Sequence, residues 1–149
     1  MYKKIEEILN IKLPVEYVKN YQNKKLNKCN QLFLPDDKEI VEIRDYCSLE
    51  NEDDENYLLN VYGRDKNMLL EDLIPFAITE YDDYICFYYN KGRNYEPSIV
   101  YFSYDLAYED RNEAVFHIAD SFKDFVDLLK VGNTGTVPTV SPSLKSGSS

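Results

Sequence analysis

The sequence predicts a single α+β domain. It has a central antiparallel or mixed sheet of about five to six strands, helices at the N-terminus, and a closing C-terminal helix packed at one side. Three observations carry this expectation. The stretch from Asp83 to Tyr104, DYICFYYNKGRNYEPSIVYFSY, reads as two strands and the loop between them. Apolar residues recur at helical spacing near both ends of the chain. Between those ends the order is a run of strands with one helical insertion.

Each element follows from its local pattern. Ile5, Ile8 and Leu9 stand at i, i+3 and i+4, the stripe of a short amphipathic helix. Pro14 disfavours helix at Leu13 and suits the first turn of a second helix, which Val15, Val18 and Tyr21 or Gln22 continue to about Asn23. Asn23 to Asn30 is polar and reads as a loop. Gln31 to Leu34 reads as a short strand, and Glu39 to Cys47 alternates as a half-exposed one. Ser48 to Asn56, SLENEDDEN, is an acidic loop. Tyr57 to Val61 begins a strand or a helical turn, which Gly63 and Asp65 are expected to break. A helical turn over Leu69 to Leu73 then leads into the apolar run Leu73 to Ile78.

The central pair comes next. Ile85, Phe87 and Tyr89 alternate with Tyr84, Cys86 and Tyr88, and Ile99 and Tyr101 alternate with Val100 and Phe102. β-Branched and aromatic residues at period two suit a pleated surface. Neither strand has a clean polar face, so both faces of the sheet are expected to be covered, and the pair is placed at its centre. Asp105 to Asn112 reads as a polar turn, and Glu113 to Ile118 as a strand with Ala114, Phe116 and Ile118 on one side. The closing helix is capped at Asp120 or Ser121 and carries the stripe Phe122, Phe125, Val126 and Leu129. The domain thus covers residues 1–130. Residues 131–149 change to Gly, Thr, Ser and Pro and read as a flexible tail with too little apolar area to offset ordering entropy.

Composition limits the function classes. The net charge is −10, and residues 36–55 alone contribute −8. Such a surface repels nucleic acid and anionic membrane and attracts a basic partner. The three cysteines, Cys29, Cys47 and Cys86, are scattered and form no CxxC, the pattern of a reducing cytosol. The N-terminal MYKKIEEIL lacks the apolar core of a signal peptide, and no run has the length of a membrane span. A cytoplasmic protein is therefore expected.

No catalytic group, metal site or cofactor site is predicted. The one histidine, His117, has no local partner for a zinc site or a catalytic triad. Asn51, Asp53 and Glu55 alternate as in an EF-hand loop, but Asn56 stands at the glycine position and Tyr62 at the bidentate glutamate position. The glycines form no phosphate-binding loop. Lys24, Lys25 and Lys28 make a small basic cluster without interleaved aromatics, read as a solvated face.

The order of motifs resembles the SUKH superfamily, whose members include bacterial immunity proteins and a fungal cell-wall assembly regulator. Four segments carry the resemblance: LPVEYVKNY (Leu13 to Tyr21), LIPFAI (Leu73 to Ile78), YICFYYN with PSIVYFSYD (Tyr84 to Asn90 and Pro97 to Asp105), and IADSFKDFVDLL (Ile118 to Leu129). The turn Tyr81-Asp82-Asp83 and the stretch Asn23-Lys24-Lys25 stand where many relatives carry glycine.

The resemblance implies a domain without enzymatic activity that neutralises a cognate toxin, often a nuclease, by binding it. On that reading the chain is an antitoxin that occludes a basic nuclease domain with acidic surface, itself a monomer or weak homodimer. It engages neither nucleic acid nor membrane. The expected contacts are Glu52, Asp53, Asp54 and Glu55 in the acidic loop, Asp82 and Asp83 at the sheet turn, and Tyr88 and Tyr95 as aromatic anchors. Two other readings stay open: an intracellular adaptor or regulatory scaffold of the same fold, and a hydrolase with a hidden carboxylate pair.

Overall fold

A computed structural model describes residues 2–28, 30–34 and 38–130. The tail predicted over 131–149, and Cys29, lie outside the described residues. Two helices open the chain, α1 (Tyr2–Leu9) and α2 (Val15–Gln22), followed by a 3-10 turn at Lys25–Lys28. The hairpin β1 (Gln31–Leu34) and β2 (Glu39–Tyr46) comes next, then α3 (Leu58–Asp65). Three strands follow, β3 (Leu73–Thr79), β4 (Tyr84–Tyr88) and β5 (Ser98–Phe102). The chain closes with α4 (Tyr104–Glu109), β6 (Val115–Ala119), α5 (Phe122–Val126) and β7 (Leu129–Lys130).

The strands form one curled antiparallel sheet in the order β6-β5-β4-β3-β2-β1-β7. The fold is α+β as expected, with seven strands rather than five or six. The central strand is β3, not the β4–β5 pair, and all seven of its residues are buried. It contains Pro75, which lacks the N–H that a central strand needs. The register with β4 shifts between Pro75 and Ala77, and this irregularity accommodates the proline. The freed carbonyls are used: Cys47 donates its N–H to the Phe76 oxygen (2.8 Å) and its Sγ–H to the Pro75 oxygen (3.8 Å).

Both faces of the sheet are covered. On one, Tyr17 of α2 and Phe122 and Phe125 of α5 pack on Phe76, and Phe87 stacks on Phe76 at 4.3 Å between ring centroids. Tyr17 also meets Phe87 and Phe122 edge-on, at 4.9 and 5.3 Å. These offset and T-shaped contacts add to the stabilisation from burial. On the other face, Tyr84 donates its hydroxyl to Asp65 at the end of α3, and Tyr104 donates to the same carboxylate at 3.0 Å.

Several local expectations change. Ile8 and Val15 are exposed, and the core residue of α2 is Tyr17, so the helical register is set by the aromatic rather than by the valines. Gly63 and Asp65 lie inside or at the end of α3, since one glycine costs a helix only about 1 kcal/mol and packing overrides it. The segment read as a polar turn after Tyr104 is helical because Ser103 caps it, its Oγ accepting from Leu106 N–H. Ser121 caps α5 in the same way, accepting from Asp124 N–H at 3.1 Å. That helix ends at Val126, however, and Leu129 belongs to β7, where it pairs with Leu32. Phe116 does not join Ala114 and Ile118 in the core. The register between β5 and β6 shifts at Ile99 and Val100, leaving Ile118 and Ala119 buried and Phe116 exposed.

Candidate functional site

The β3–β4 turn and the acidic loop meet on one surface. Thr79, fully buried, closes the turn: its N–H donates to Asp83 O at 2.9 Å, and its Oγ accepts from Tyr81 and Asp83 N–H at 3.2 Å each. This places Asp82 in the left-handed region, at φ 65°, with its side chain outward. Asp82 pairs with Arg44 of β2 across the sheet end, and this pairing further stabilises the charged guanidinium.

The acidic loop is held by its own backbone. Asn51 Oδ1 accepts from Asp53 N–H and Asp54 Oδ1 from Asn56 N–H, at 3.1 and 2.8 Å. Asn60 of α3 donates to the carbonyls of Glu52 and Asp54, and Arg64 donates to that of Glu55. Ser48 bridges Tyr57 in parallel at the base of the loop. A chain segment of this charge is thereby fixed in one shape, with Asp53 and Glu55 directed to solvent.

The eight predicted residues divide by duty. The Glu52 carboxylate pairs with Lys4 of α1 at 2.9 Å, and that hydrogen bond raises the lysine pKa. Asp54 serves its own turn. Asp83 is half-buried: its carboxylate accepts the Tyr101 hydroxyl and, at 2.9 Å, the Tyr104 N–H. Burial first, and then this bond to Asp83, push the Tyr101 pKa well up. Asp53 and Glu55 have no partner for their carboxylates among the described residues.

Glu55 and Asp82 line one groove of about 520 Å³, shared with Arg44, Arg64, Tyr81 and Asp105. Tyr88 and Tyr95 lie elsewhere. Tyr88 ends β4, four residues from Tyr84, which is about 13 Å along a strand. Tyr95 is exposed in the β4–β5 loop, its ring over Gly92. That loop is tied to the other end of the molecule, with Lys12 N–H donating to Arg93 O and Arg93 pairing with Asp72. The anchors and the acids therefore do not form one continuous surface.

Four of these groove residues were missed from sequence: Arg44, Arg64, Tyr81 and Asp105. Tyr81 is exposed and sits beside Asp82, so the aromatic for this surface was in the turn itself. Asp105 was hidden because its segment read as a turn. Among the described residues no three His, Cys, Asp or Glu side chains are grouped as a metal would require. Cys47 and Cys86 are free and buried, and burial pushes both thiols up. No described helix is long and apolar enough to cross a membrane.

The fold and this surface define an α+β domain with a curled antiparallel sheet and an acid-rich turn face. The model of the SMI1 / KNR4 family (SUKH-1) matches residues 2–128, and the chain belongs to that family. No curated protein sequence matches the chain.

Proposed function

We propose that this protein is a cytoplasmic immunity protein that binds a cognate toxin domain, a basic nuclease, and neutralises it by occupancy without catalysis of its own. The observation that carries the reading is the groove in which Glu55, Asp82 and Asp105 converge beside exposed Tyr81. Carboxylates held by a fixed loop and a fixed turn can stand where the phosphates of a nuclease substrate lie, with the backbone already ordered before binding. Membership of the SUKH-1 family supports the same reading. Arg44 and Arg64 stay in the groove as partners of Asp82 and of the Glu55 carbonyl, so three carboxylates face two guanidinium groups there.

The test is binding to a basic nuclease domain, sought first in the gene adjacent to the one that encodes this chain. The wild-type protein is expected to abolish nuclease activity at equimolar ratio. The double variant Asp53→Lys, Glu55→Lys changes only side chains without partners. It is expected to slow association about tenfold at low salt and to flatten the salt dependence. Full inhibition by the double variant at unchanged rate would remove the acidic loop from the interface. Absence of any complex would refute the immunity reading and favour the adaptor.

A further inference from the structure

The two grooves at the turn end of the sheet differ in chemistry, and the second has no role in the reading above. It measures about 530 Å³ and opens on the face of the sheet that α2 and α5 cover elsewhere. Helix α5 is only five residues long. Its phenylalanines cover Phe76 and Phe87, and the same face then runs on beyond the helix. There Tyr101 on β5 stands in register with Phe116 on β6, which is 46% exposed. Leu34 and Val41, from the opposite side of the curled sheet, form the facing wall. Tyr81 closes one end and lines both grooves.

This apolar groove carries a charge pattern. Glu39 is in register with Leu34 and two residues from Val41, so the pleat points its carboxylate to the same face as these apolar residues. Asp83 lines the groove too, bonded to Tyr101. The described lining holds these two carboxylates and no lysine or arginine. His117, paired with Asp120 at 3.1 Å, is the remaining titratable side chain there besides the tyrosines.

An apolar slot with aromatic walls and acids at its edge suits the stem and head of one residue type. A lysine or arginine side chain buries its methylenes against Phe116 and Tyr101 and presents its cation to ring faces and to Glu39. A second copy of this chain would bring another net −10 against the same carboxylates.

We infer that the groove between Leu34–Val41 and Tyr101–Phe116 docks a partner-protein segment that presents a lysine or arginine beside an apolar residue. The inference rests on the reading that the chain binds a basic protein, and it names a contact separate from the acidic loop. Tyr81, common to both grooves, makes the two contacts contiguous.

The experiment is an NMR titration of the full isotope-labelled chain with synthetic peptides. Acetylated LKLKL is expected to produce saturable amide shifts at Tyr101, Phe116 and His117, with a dissociation constant of about 1 mM or tighter. Its counterpart LELEL is expected to leave them unmoved. Phe116→Thr keeps a strand-forming residue at an exposed edge position and is expected to weaken LKLKL binding about tenfold. Glu39→Gln is expected to weaken it and remove its salt dependence.

Equal binding of LELEL would overturn the inference, as would no saturable shift with LKLKL, or shifts confined to Ser48–Asn56. Groove shifts that depend on protein concentration alone would assign the groove to a second copy. Contacts to resonances of residues 131–149 would assign it to the chain's own segment. The Phe116→Thr chain also separates this inference from the immunity reading. Unchanged affinity for the toxin domain sinks the groove and leaves that reading standing. Peptide docking without any toxin complex does the reverse.

Discussion

Asp82 and Asp83 are adjacent acids in one turn with different surroundings, Asp82 exposed and ion-paired with Arg44, Asp83 half-buried and hydrogen-bonded. Replacing Asp83 by alanine removes the acceptor of the Tyr101 hydroxyl and of the Tyr104 N–H. Both donors are partly buried, and an unpaired donor of that kind costs about 1–3 kcal/mol. Taking about 1–1.5 kcal/mol for each, the low end of that range, Asp83→Ala is expected to destabilise the fold by about 2–3 kcal/mol. Asp82→Gly removes a carboxylate whose partner Arg44 is half-exposed, a pair that contributes at most about 1 kcal/mol. Glycine also adopts φ 65° without the Cβ penalty that aspartate bears there, which offsets part of that loss. The net change is expected to stay within about 0.5 kcal/mol.

Urea unfolding reads both. With a slope of about 2 kcal/mol per molar, the Asp83→Ala midpoint falls by about 1–1.5 M, while that of Asp82→Gly moves by less than about 0.3 M. The binding assay is expected to rank them the other way at unfolding-free conditions, with Asp82→Gly weakening the toxin complex. A midpoint for Asp83→Ala within about 0.3 M of wild type would refute the assignment of Asp83 to the scaffold. So would equal losses for the two variants.

Two further outcomes follow from the same structure. Gly63→Ala adds a methyl into open space on α3 and is expected to raise stability by about 0.5–1 kcal/mol. Gly92→Ala places a Cβ 2.9 Å from the Tyr95 ring at φ +124° and is expected to lower it by at least about 1 kcal/mol, so urea midpoints should move in opposite directions. Alkaline pH is expected to unfold the protein. Burial raises Tyr17, Tyr84, Tyr89 and Tyr101 above their ordinary value near 10, so the unfolded chain loses those protons first. Stability is complete below about pH 10 for these groups and falls above it, by up to about 1.4 kcal/mol per tyrosine per pH unit. A urea midpoint unchanged between pH 8 and pH 11 would contradict this.

How much was readable in the sequence depended on whether local and tertiary forces agreed. The β4–β5 pair was readable because period-two aromatics have one comfortable arrangement, and the cap at Ser121 because its geometry is local. The central strand β3 was read only as an apolar run. Pro75 argues against a central strand, and only the shifted register with β4 resolves that conflict. The end of α5 was misplaced because Leu129 fits the helical stripe. Its pairing with Leu32, nearly a hundred residues away in sequence, pulls it into the sheet. At the candidate site, an acid's type and position said nothing of its duty. Glu52, Asp54 and Asp83 carry the same charge as Asp53 and Glu55. The partners Lys4 and Tyr101 come into reach only through the fold, while Asp54 accepts from Asn56 two residues on, within the loop's own turn.

The abundance of tyrosine acquires a physical reason on the same grounds. Tyr84 and Tyr104 converge on Asp65, Tyr101 on Asp83, Tyr89 donates to the Lys12 carbonyl at 2.8 Å, and Tyr21 accepts from Leu49 N–H. In each case an apolar ring lies within or against the core while its hydroxyl ties one element to another. Phenylalanine would fill the same space and remove both tyrosine donors of Asp65 and one of the two donors of Asp83. Tyr17 is the exception among the described residues, fully buried with no hydrogen-bond partner for its hydroxyl, while Tyr81, Tyr95 and Tyr108 are the most exposed tyrosines. Among the described residues only Tyr81 borders both the acidic groove and the apolar one. A partner that covers both must therefore cross Tyr81, which places this residue, rather than Tyr88 or Tyr95, at the centre of the proposed interface, where truncation to alanine has the largest effect on affinity.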